Sequence, residues 1–454
     1  MQRNPLKTKK NKPEIFRFVS YAFDVETSTA SLNYAFDEEY YFTETVQFRN
    51  AEKVLTREQA AAVENIMFFL HLACGISYYK AFVPAHIHIE TGALNREQAA
   101  FFDEFYKKGL GEFSWRNGLN LNNIVKFPSQ KQSTHEKASD ICLNERTAVP
   151  VGGGKDSNVV IETLKAHGEK VVCIAQGRPR PIRESIEVSG CPDIEFTRTI
   201  SPALIALNER SDVYNGHIPI TGVYAFCMAL AAVLYGFDKI AMGNERSANV
   251  GNLVRDDSFE VNHQWSKSFA FEKSFNIFCK KYMLQNLHYF SMLRPLSELD
   301  IARRFAGLKA YFPVFTSCNK AFKIDTNKRL ERWCGDCDKC RFVFLALAPF
   351  MPKEDLIQAV GKNILADEKQ LGGFEELLGL SRHKPFECVG ELEECAVAVG
   401  LLAQKPEWKD EFIVKSLYPR LLEKYGAQTL QRWQEMVFTP SGEHLIPEKF
   451  KDYL

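Results

Sequence analysis

Five short apolar runs rich in β-branched residues follow one another after Leu143, and most of them are separated by stretches with helical patterning. The runs are TAVPV, KVVCIAQ, DIEFTRTI, DKIAMG and HYFSML. Strands that alternate with helices are typical of a parallel sheet with helices on both of its faces. The sequence therefore predicts an α/β core.

The residues before this core predict a different kind of structure. Apolar and polar residues alternate around aromatic side chains from Phe16 to about Phe48, which indicates a β-meander or hairpin. Two helices follow, the first capped by Thr56 and the second opened by Asn95 and ended by Gly109. The polar stretch 127–140 is typical of a linker, so this part is predicted to be α+β.

A chain of 454 residues is about three times the length of a typical domain, so two or three domains are expected. After Pro349 the strand patterns stop and helical patterns continue to the end of the chain. We therefore predict an N-terminal α+β domain with its linker over residues 1–140, an α/β domain over 141–350 and a helical domain over 351–454.

Charge and hydropathy favour a small-molecule partner in the cytoplasm. Lys plus Arg and Asp plus Glu both total 57, so the basic excess of nucleic-acid-binding proteins is missing. The apolar run Ala225–Gly236 is shorter than the roughly 20 residues that a membrane span needs. The basic N-terminus lacks the apolar stretch of a secretory signal and is interpreted as a solvated tail. The cations of that tail are Arg3, Lys7, Lys9, Lys10 and Lys12.

A glycine-rich loop, Val151–Ser157, leaves the first predicted strand and enters a helix predicted over 157–166. Its glycines let the backbone approach a ligand closely, and free N–H groups at a helix start bind anions. The spacing is neither that of the Walker loop nor that of the dinucleotide turn. Asp156 would repel phosphate unless a cation stood between them, which suggests Mg²⁺, while Lys155 and Ser157 can bind oxygens directly. A plain βα turn capped by Asp156 or Ser157 is the alternative.

Residues that follow strands of an open α/β sheet are the usual ligand contacts. The segment 177–183 carries Arg178, Arg180 and Arg183, which can bind phosphate or carboxylate in bidentate fashion, although a solvated loop is equally compatible. The loop 242–249 carries several hydrogen-bonding groups after another strand. The groups of interest in that loop are Asn244, Glu245 and Arg246.

His217 precedes a very apolar helix predicted over Ile220–Tyr235. A histidine at a helix N-terminus has a tendency to a lowered pKa and can transfer a proton, although a lone histidine is more often structural. We keep both interpretations open.

Four of the twelve cysteines are clustered, with the spacing C-x₁₅-C-x₂-C-x₂-C. They are Cys318, Cys334, Cys337 and Cys340. Four thiolates at this spacing can close a tetrahedral zinc site, and an iron–sulfur cluster or simple thiols are the alternatives. The other cysteines are predicted to be buried thiols that pack as small apolar groups. These are Cys74, Cys142, Cys173, Cys191, Cys227, Cys279, Cys388 and Cys395.

The sequence GGGKDS resembles the SGGxDS pyrophosphate loop of the ATP pyrophosphatase superfamily, with Gly152 in place of the usual serine. The resemblance implies an adenine nucleotide α-hydrolase-like fold that cleaves ATP between the α and β phosphates. It also implies that the strand around Cys173 and Ala175 lies along the adenine through its backbone. The implied nucleotide-binding residues of the loop are Gly152, Gly153, Gly154, Lys155, Asp156 and Ser157.

A wider set of motifs is similar to those of the UDP-N-acetyl-α-D-muramoyl-L-alanyl-L-glutamate epimerases, the MurL family. The motifs are VPVGGGKDS, YNGHIPIT, MGNERSANVGN, FTSCNKAF, WCGDCDKCRFVFL and KPFECVGELEEC. This resemblance implies ATP- and Mg²⁺-dependent inversion of the terminal glutamate of a UDP-muramoyl dipeptide in peptidoglycan synthesis, with release of AMP and diphosphate. Acyl adenylation removes one negative charge from the enolate, so that a modest base can remove the α-proton.

Under this resemblance, inversion needs proton transfer on both faces of the α-carbon. The candidate groups are His217, Glu245 and Lys155. The substrate's diphosphate or carboxylates are expected to contact Arg178, Arg180, Arg183, Asn244 and Arg246.

Two other functions stay open. The C-x₂-C-x₂-C element resembles the zinc site of 7-cyano-7-deazaguanine synthases, so another adenylating enzyme of that kind, or a tRNA thiolase-like one, is the first alternative. A non-catalytic nucleotide-binding protein is the second. The oligomeric state is not predicted.

Overall fold

The computed structural model describes residues 12–255, 259–323, 326–381 and 385–454. Its strands are β1 (Ile15–Asp24), β2 (Thr29–Phe36), β3 (Tyr40–Phe48), β4 (His86–Ile89), β5 (Thr147–Pro150), β6 (Val171–Gln176), β7 (Asp193–Thr199), β8 (Lys239–Met242), β9 (Leu253–Val254), β10 (Glu260–Val261) and β11 (His288–Ser291). Its helices are α1 (Arg57–Cys74), α2 (Ile76–Tyr79), α3 (Arg96–Gly109), α4 (Gly111–Arg116), α5 (Lys155–Ala166), α6 (Arg180–Ser189), α7 (Pro202–Leu207), α8 (Ile220–Tyr235), α9 (Phe269–Tyr282), α10 (Glu298–Phe305), α11 (Asp338–Leu347), α12 (Lys353–Val360), α13 (Leu371–Leu377), α14 (Leu392–Ala403), α15 (Phe412–Tyr425) and α16 (Ala427–Val437).

The chain forms two compact units, each built from several segments. The first unit comprises the chain up to Ile141 together with Thr197–Leu234 and Phe278–Gln285. The second unit comprises Cys142–Phe196, Tyr235–Ile277 and Asn286–Leu454. The division into domains at residues 140 and 350 stays a prediction.

The first unit contains the meander that the alternating pattern predicts. β1 and β2 pair antiparallel, as do β2 and β3, and β4 joins the free edge of β1 in parallel. A capping box starts α1, because the Thr56 hydroxyl accepts from the Gln59 N–H and the Gln59 side chain accepts from the Thr56 N–H. The stretch 127–140 forms no helix, but it is anchored: Asn65 Nδ2 donates to the Lys137 carbonyl at 3.2 Å and Gln98 Nε2 donates to the His135 carbonyl at 2.7 Å.

One segment of the first unit is long and apolar enough to cross a membrane by length and composition. It is Arg57–Tyr79, which covers α1 and α2, and 83% of its most apolar window is buried in the molecule. Packing in a core therefore accounts for its apolarity. The cytoplasmic location stays a prediction. Of the tail cations, Arg3, Lys7, Lys9 and Lys10 lie outside the described residues, and Lys12 Nζ donates to the Tyr214 hydroxyl at 3.1 Å.

The second unit contains a parallel sheet made of all five strands predicted after Leu143. Its strand order is β11-β8-β5-β6-β7, and its four neighbouring strand pairs are all parallel. Val171–Ala175 of β6 are all buried, so both faces of that strand are covered. The mixed α/β architecture is confirmed.

Two local predictions are wrong. The helix after the glycine loop begins at Lys155 and not at Ser157, because Gly154 in extended backbone serves as the N-cap. The arginine segment is not a loop throughout, because α6 begins at Arg180, with Pro181 in its first turn, and includes Arg183.

The helical patterns predicted after Pro349 are confirmed as α12 to α16. Apolar side chains of these helices, such as Leu356, Val397 and Leu417, belong to the same buried cluster as Val149 of β5 and Leu164 of α5. The helical C-terminal part and the parallel sheet therefore share a core within the second unit.

Candidate functional site

The topology of the second unit brings two loops together at one edge of the sheet. β5 is followed in the chain by β6, its neighbour on one side, whereas β8 lies on its other side. This reversal is a switch point, where open α/β sheets bind ligands beyond the carboxyl ends of the strands. The loops that follow β5 and β8 approach each other closely there. A Cβ atom added to Gly243 would lie only 3.3 Å from the Asp156 Cβ.

The glycine loop has the backbone geometry of an anion site. Gly153 has φ +77°, a conformation that side chains rarely adopt, and its carbonyl accepts from the Thr316 N–H at 2.8 Å. Gly154 is the N-cap residue of α5 and has no side chain that could accept a hydrogen bond. The N–H groups of the first turn of α5 therefore receive no side-chain cap from their N-cap residue. A Cβ on Gly152 would meet no atom of the described residues within 4 Å. The position can therefore accommodate the serine that is usual in the superfamily.

Lys155 is buried and forms ion pairs with Asp156 and Glu298. Burial alone would lower the pKa of Lys155, but the two carboxylates outweigh it and raise the pKa above its ordinary value. The group is therefore an ammonium that fixes both carboxylates. The Asp156 side chain is 32% exposed and accessible to a ligand.

Two buried glutamates that no sequence pattern predicted as site residues lie close together, and one of them, Glu298, pairs with Lys155. Ser297 caps α10, and the Glu298 N–H that follows it donates to Glu394 Oε1 of α14 at 3.1 Å. Glu394 Oε2 has no hydrogen-bond partner among the described residues. Burial raises the pKa of Glu298 to about 7 and that of Glu394 to about 8. An acidic side chain in the otherwise apolar pattern EECAVAVGLLA is the signal that could have identified Glu394.

The predicted β8 loop lies at the same edge of the sheet. Asn244 and Glu245 are buried, and Ser291 Oγ of β11 donates to the Asn244 carbonyl at 2.5 Å. Arg294 donates to the Glu245 carbonyl at 2.8 Å. Arg246 instead donates to Ser441 Oγ at 2.6 Å, so a C-terminal segment holds its guanidinium.

The three arginines of the predicted anion clamp all have carboxylate partners. Arg178 pairs with Asp193 and with Glu195, Arg180 pairs with Glu184 and with Glu331, and Arg183 lies 3.6 Å from Glu187. Arg183 has the longest of these pairs, and its side chain is 50% exposed. A substrate anion would have to compete with these carboxylates.

Three other predicted residues lie in β6 and in the first unit. Cys173 and Ala175 are buried within β6, and the Cys173 N–H donates to the Pro192 carbonyl at 2.9 Å. His217 belongs to the first unit, where its Nδ1 lies 3.8 Å from Glu112 Oε2. The structure therefore groups Gly152–Ser157 with Asn244 and Glu245.

A second group of ionisable side chains surrounds Cys388, which was predicted to be an ordinary buried thiol. The sulfur is only partly buried and lies 3.2 Å from Lys267 Nζ, while Lys339 Nζ donates to the Cys388 carbonyl at 2.8 Å. Burial alone would raise the pKa of Cys388, but the charges of Lys267 and Lys339 and a hydrogen bond with His263 lower it to about 5. The thiol is therefore a thiolate at neutral pH.

The four clustered cysteines meet in the second unit with their sulfurs within 4.8 Å of one another. The Sγ atoms of Cys318 and Cys337 are 4.0 Å apart, those of Cys334 and Cys340 are 3.7 Å apart, and those of Cys337 and Cys340 are 3.5 Å apart. Zn–S bonds of about 2.3 Å in a tetrahedron place sulfurs about 3.8 Å apart. All four are free thiols, so the set fits a zinc ion.

Comparison with known proteins identifies relatives over nearly the whole chain. The family model described as the MurL N-terminal domain matches residues 7–292, and that of the MurL C-terminal domain matches residues 314–432. A UDP-N-acetyl-α-D-muramoyl-L-alanyl-L-glutamate epimerase of Xanthomonas oryzae pv. oryzae is 42% identical, with 96% of each chain covered. Proteins with the same name from Micromonospora sp. and Salinispora tropica are each 38% identical, with at least 95% of each chain covered.

Proposed function

We propose, since the chain belongs to the MurL family of UDP-N-acetyl-α-D-muramoyl-L-alanyl-L-glutamate epimerases, that it inverts the terminal L-glutamate of this nucleotide dipeptide to D-glutamate during peptidoglycan synthesis. The observation that carries the proposal is 42% identity over 96% of both this chain and the Xanthomonas enzyme. Matches to both domain models of the family support it. The protein is an isomerase of a UDP-muramoyl dipeptide.

We further propose that the second unit is an ATP pyrophosphatase-like core. The support is the parallel sheet and the glycine loop at its switch point. Gly152–Ser157 would bind the phosphates of ATP through backbone N–H groups, and the exposed Asp156 carboxylate would hold Mg²⁺. Bound Mg²⁺ supplies positive charge that offsets the charge of the phosphates.

Adenylation of the substrate has a chemical reason. Removing the α-proton of a free carboxylate gives an enolate with two negative charges, whereas the acyl adenylate carries one charge fewer. The substrate carboxylate attacks the α-phosphate, diphosphate leaves from the glycine loop, and water later hydrolyses the adenylate to release AMP. The buried Lys155 ammonium pairs with Asp156 and Glu298 and would hold the Asp156 carboxylate in position for Mg²⁺.

The substrate itself carries a diphosphate and carboxylates, which need cationic or hydrogen-bonding partners. Arg183 is the best placed of the predicted arginines to bind such an anion, because it is half exposed and has the loosest carboxylate pair. Asn244 follows Gly243, which closely approaches Asp156, and would supply an amide to the substrate. These residues are proposed to bind substrate, and His217, Glu245 and Lys155 stay candidates for proton transfer.

We propose a structural role for zinc held by Cys318, Cys334, Cys337 and Cys340. The support is the sulfur separations, which suit a tetrahedral ion. Bound zinc supplies no chemistry to the reaction in this proposal. It fixes the start of α11 and the segment at Thr316, which bonds to the glycine loop.

The experiment measures diphosphate release from ATP and Mg²⁺, with and without UDP-muramoyl-L-alanyl-L-glutamate, followed by chiral analysis of the glutamate. Substrate-dependent diphosphate together with D-glutamate is expected. Diphosphate without inversion would keep the adenylating core and refute the epimerase. Inversion without loss of ATP would refute the adenylate.

A further inference from the structure

The region around Cys388 joins elements that are distant in sequence. Cys388 lies in the segment 385–391 before α14, Lys267 ends a short 3₁₀ turn, and Lys339 lies in the first turn of α11. Lys267 Nζ lies 3.2 Å from Cys388 Sγ, and Lys339 holds the Cys388 carbonyl at 2.8 Å. An ammonium at this distance from sulfur stabilises the thiolate.

This sulfur is connected to the nucleotide edge of the sheet by Arg294. The Arg294 guanidinium is buried against Glu272 and donates to the Glu245 carbonyl at 2.8 Å and to the Lys267 carbonyl at 2.6 Å. One rigid cation therefore fixes both the loop after β8 and the residue that pairs with Cys388. The charges of Glu245 and Asp156 also act on Lys267.

A second connection passes through α14. Cys388 is six residues before Glu394. Glu394 accepts from the Glu298 N–H at 3.1 Å, and the Glu298 carboxylate pairs with Lys155 of the glycine loop. Lys267, the partner of Cys388, thus shares Arg294 with the loop after β8, and the helix that follows Cys388 contacts Glu298.

We propose that the Cys388 thiolate is the catalytic base that removes the α-proton of the adenylated glutamate. This inference rests on the proposed function. The Cα–H bond breaks as an S–H bond forms, and the electron pair of the C–H bond moves into the enolate of the acyl adenylate. An acid on the opposite face then returns a proton to Cα, and water cleaves the adenylate. Exchange with solvent restores the thiolate and the acid.

The charged groups around the sulfur suit this task. The ammonium groups of Lys267 and Lys339 and the imidazole of His263 surround Cys388. Glu387 is the neighbouring acid, and its carboxylate accepts from Asn319 at 2.6 Å. Burial would raise the pKa of Cys388, but the charges of Lys267 and Lys339 and the hydrogen bond with His263 lower it to about 5. The base is therefore in its active form at neutral pH, and a thiolate of this strength suffices because adenylation has made the α-proton more acidic.

The test compares wild type, Cys388→Ser and the matched control Cys142→Ser, an exposed cysteine of the second unit. Each is incubated in D₂O with ATP, Mg²⁺ and UDP-muramoyl-L-alanyl-L-glutamate. Cys388→Ser is expected to keep substrate-dependent diphosphate release. Its rates of D-glutamate formation and of deuterium incorporation at Cα should fall about 100-fold or more, which is the contribution that a general base typically makes. Cys142→Ser should match wild type.

A second measurement does not depend on the variant folding. Alkylation of wild type by iodoacetamide, followed by mass spectrometry of the Cys388 peptide, should show a midpoint near pH 5. Lys267→Met should move that midpoint upward, and prior binding of ATP with the dipeptide should slow the alkylation. Wild type alkylated at pH 6 should release diphosphate without inverting glutamate.

The outcomes separate the two proposals. Wild type that forms neither diphosphate nor D-glutamate with this substrate overturns the proposed function. Wild type that inverts glutamate while Cys388→Ser does so at an equal rate overturns only the role of Cys388. An alkylation midpoint near the ordinary thiol value also overturns that role.

Discussion

The carboxyl group of Glu394 gives a quantitative test of the electrostatics around the glycine loop. Glu394 is 2% exposed. Burial is the largest cause that raises the pKa of its carboxyl group from 4.5 to about 8, and the charge of Glu298 is the second. Between these values the folded chain holds a proton that the unfolded chain releases. The free energy of unfolding therefore falls by about 1.4 kcal/mol per pH unit across this window, which amounts to about 3 kcal/mol at pH 7.

Glu394→Gln removes this dependence and keeps the oxygen that accepts from the Glu298 N–H. The variant should be no more stable than wild type well below pH 4.5, where the wild-type carboxyl is protonated in both the folded and the unfolded state. Its advantage should grow with pH and reach about 3 kcal/mol near pH 7. The measurement is urea unfolding at pH 5, 6, 7 and 8 without nucleotide.

Glu393 precedes Glu394 in α14, and Glu393→Gln is the matched control for removing a carboxylate from the same helical turn. A difference between Glu394→Gln and wild type that stays constant from pH 5 to pH 8 would refute the reasoning. Such a result would mean that the buried carboxyl titrates as it does in the unfolded chain.

Four further substitutions test the loop and the metal site. Asp156→Ala should abolish diphosphate release at unchanged thermal midpoint, and a fully active variant would remove the Mg²⁺ assignment. Cys337→Ser should lower zinc content and the thermal midpoint together, measured by elemental analysis and calorimetry; parent protein without metal would leave four ordinary thiols. Gly243→Ala should impair diphosphate release, because its Cβ would lie 3.3 Å from Asp156. Gly152→Ser should remain active, because the space around Gly152 is open. Equal rates of diphosphate release for the two variants would contradict this account.

The strands of the second unit could be predicted because a sheet covered on both faces requires short continuous apolar runs, and β6 is such a run. The start of α5 could not be placed correctly, because its N-cap Gly154 uses backbone conformation and offers no capping side chain. The start of α6 was missed for a related reason. Prolines at 179 and 181 favour a loop, but they are also tolerated at the N-cap and in the first turn of a helix.

The glycine loop could be recognised because its residues are contiguous and its chemistry depends on backbone N–H groups. Cys388 could not be recognised in this way. Its nearest cation, Lys267, is 121 residues away in the chain, and Lys339 is 49 residues away. The property that makes the thiol unusual, a lowered pKa, comes from these cations and has no local pattern. Sequence reasoning therefore assigned it the default role of a buried cysteine.

The C-terminal helices do more than extend the core of the second unit. The segment before α14 supplies Cys388, and α14 itself supplies Glu394, whose carboxylate binds the Glu298 N–H beside Lys155. Two bonds from the cysteine-rich region hold that segment: Lys339 donates to the Cys388 carbonyl, and Asn319 donates to Glu387 at 2.6 Å. Because Lys339 lies between Cys337 and Cys340, ordering of the cysteine cluster by zinc would also order Cys388. The proposed zinc site would then support proton transfer without touching the substrate, and this would explain why the C-terminal region belongs to the enzyme.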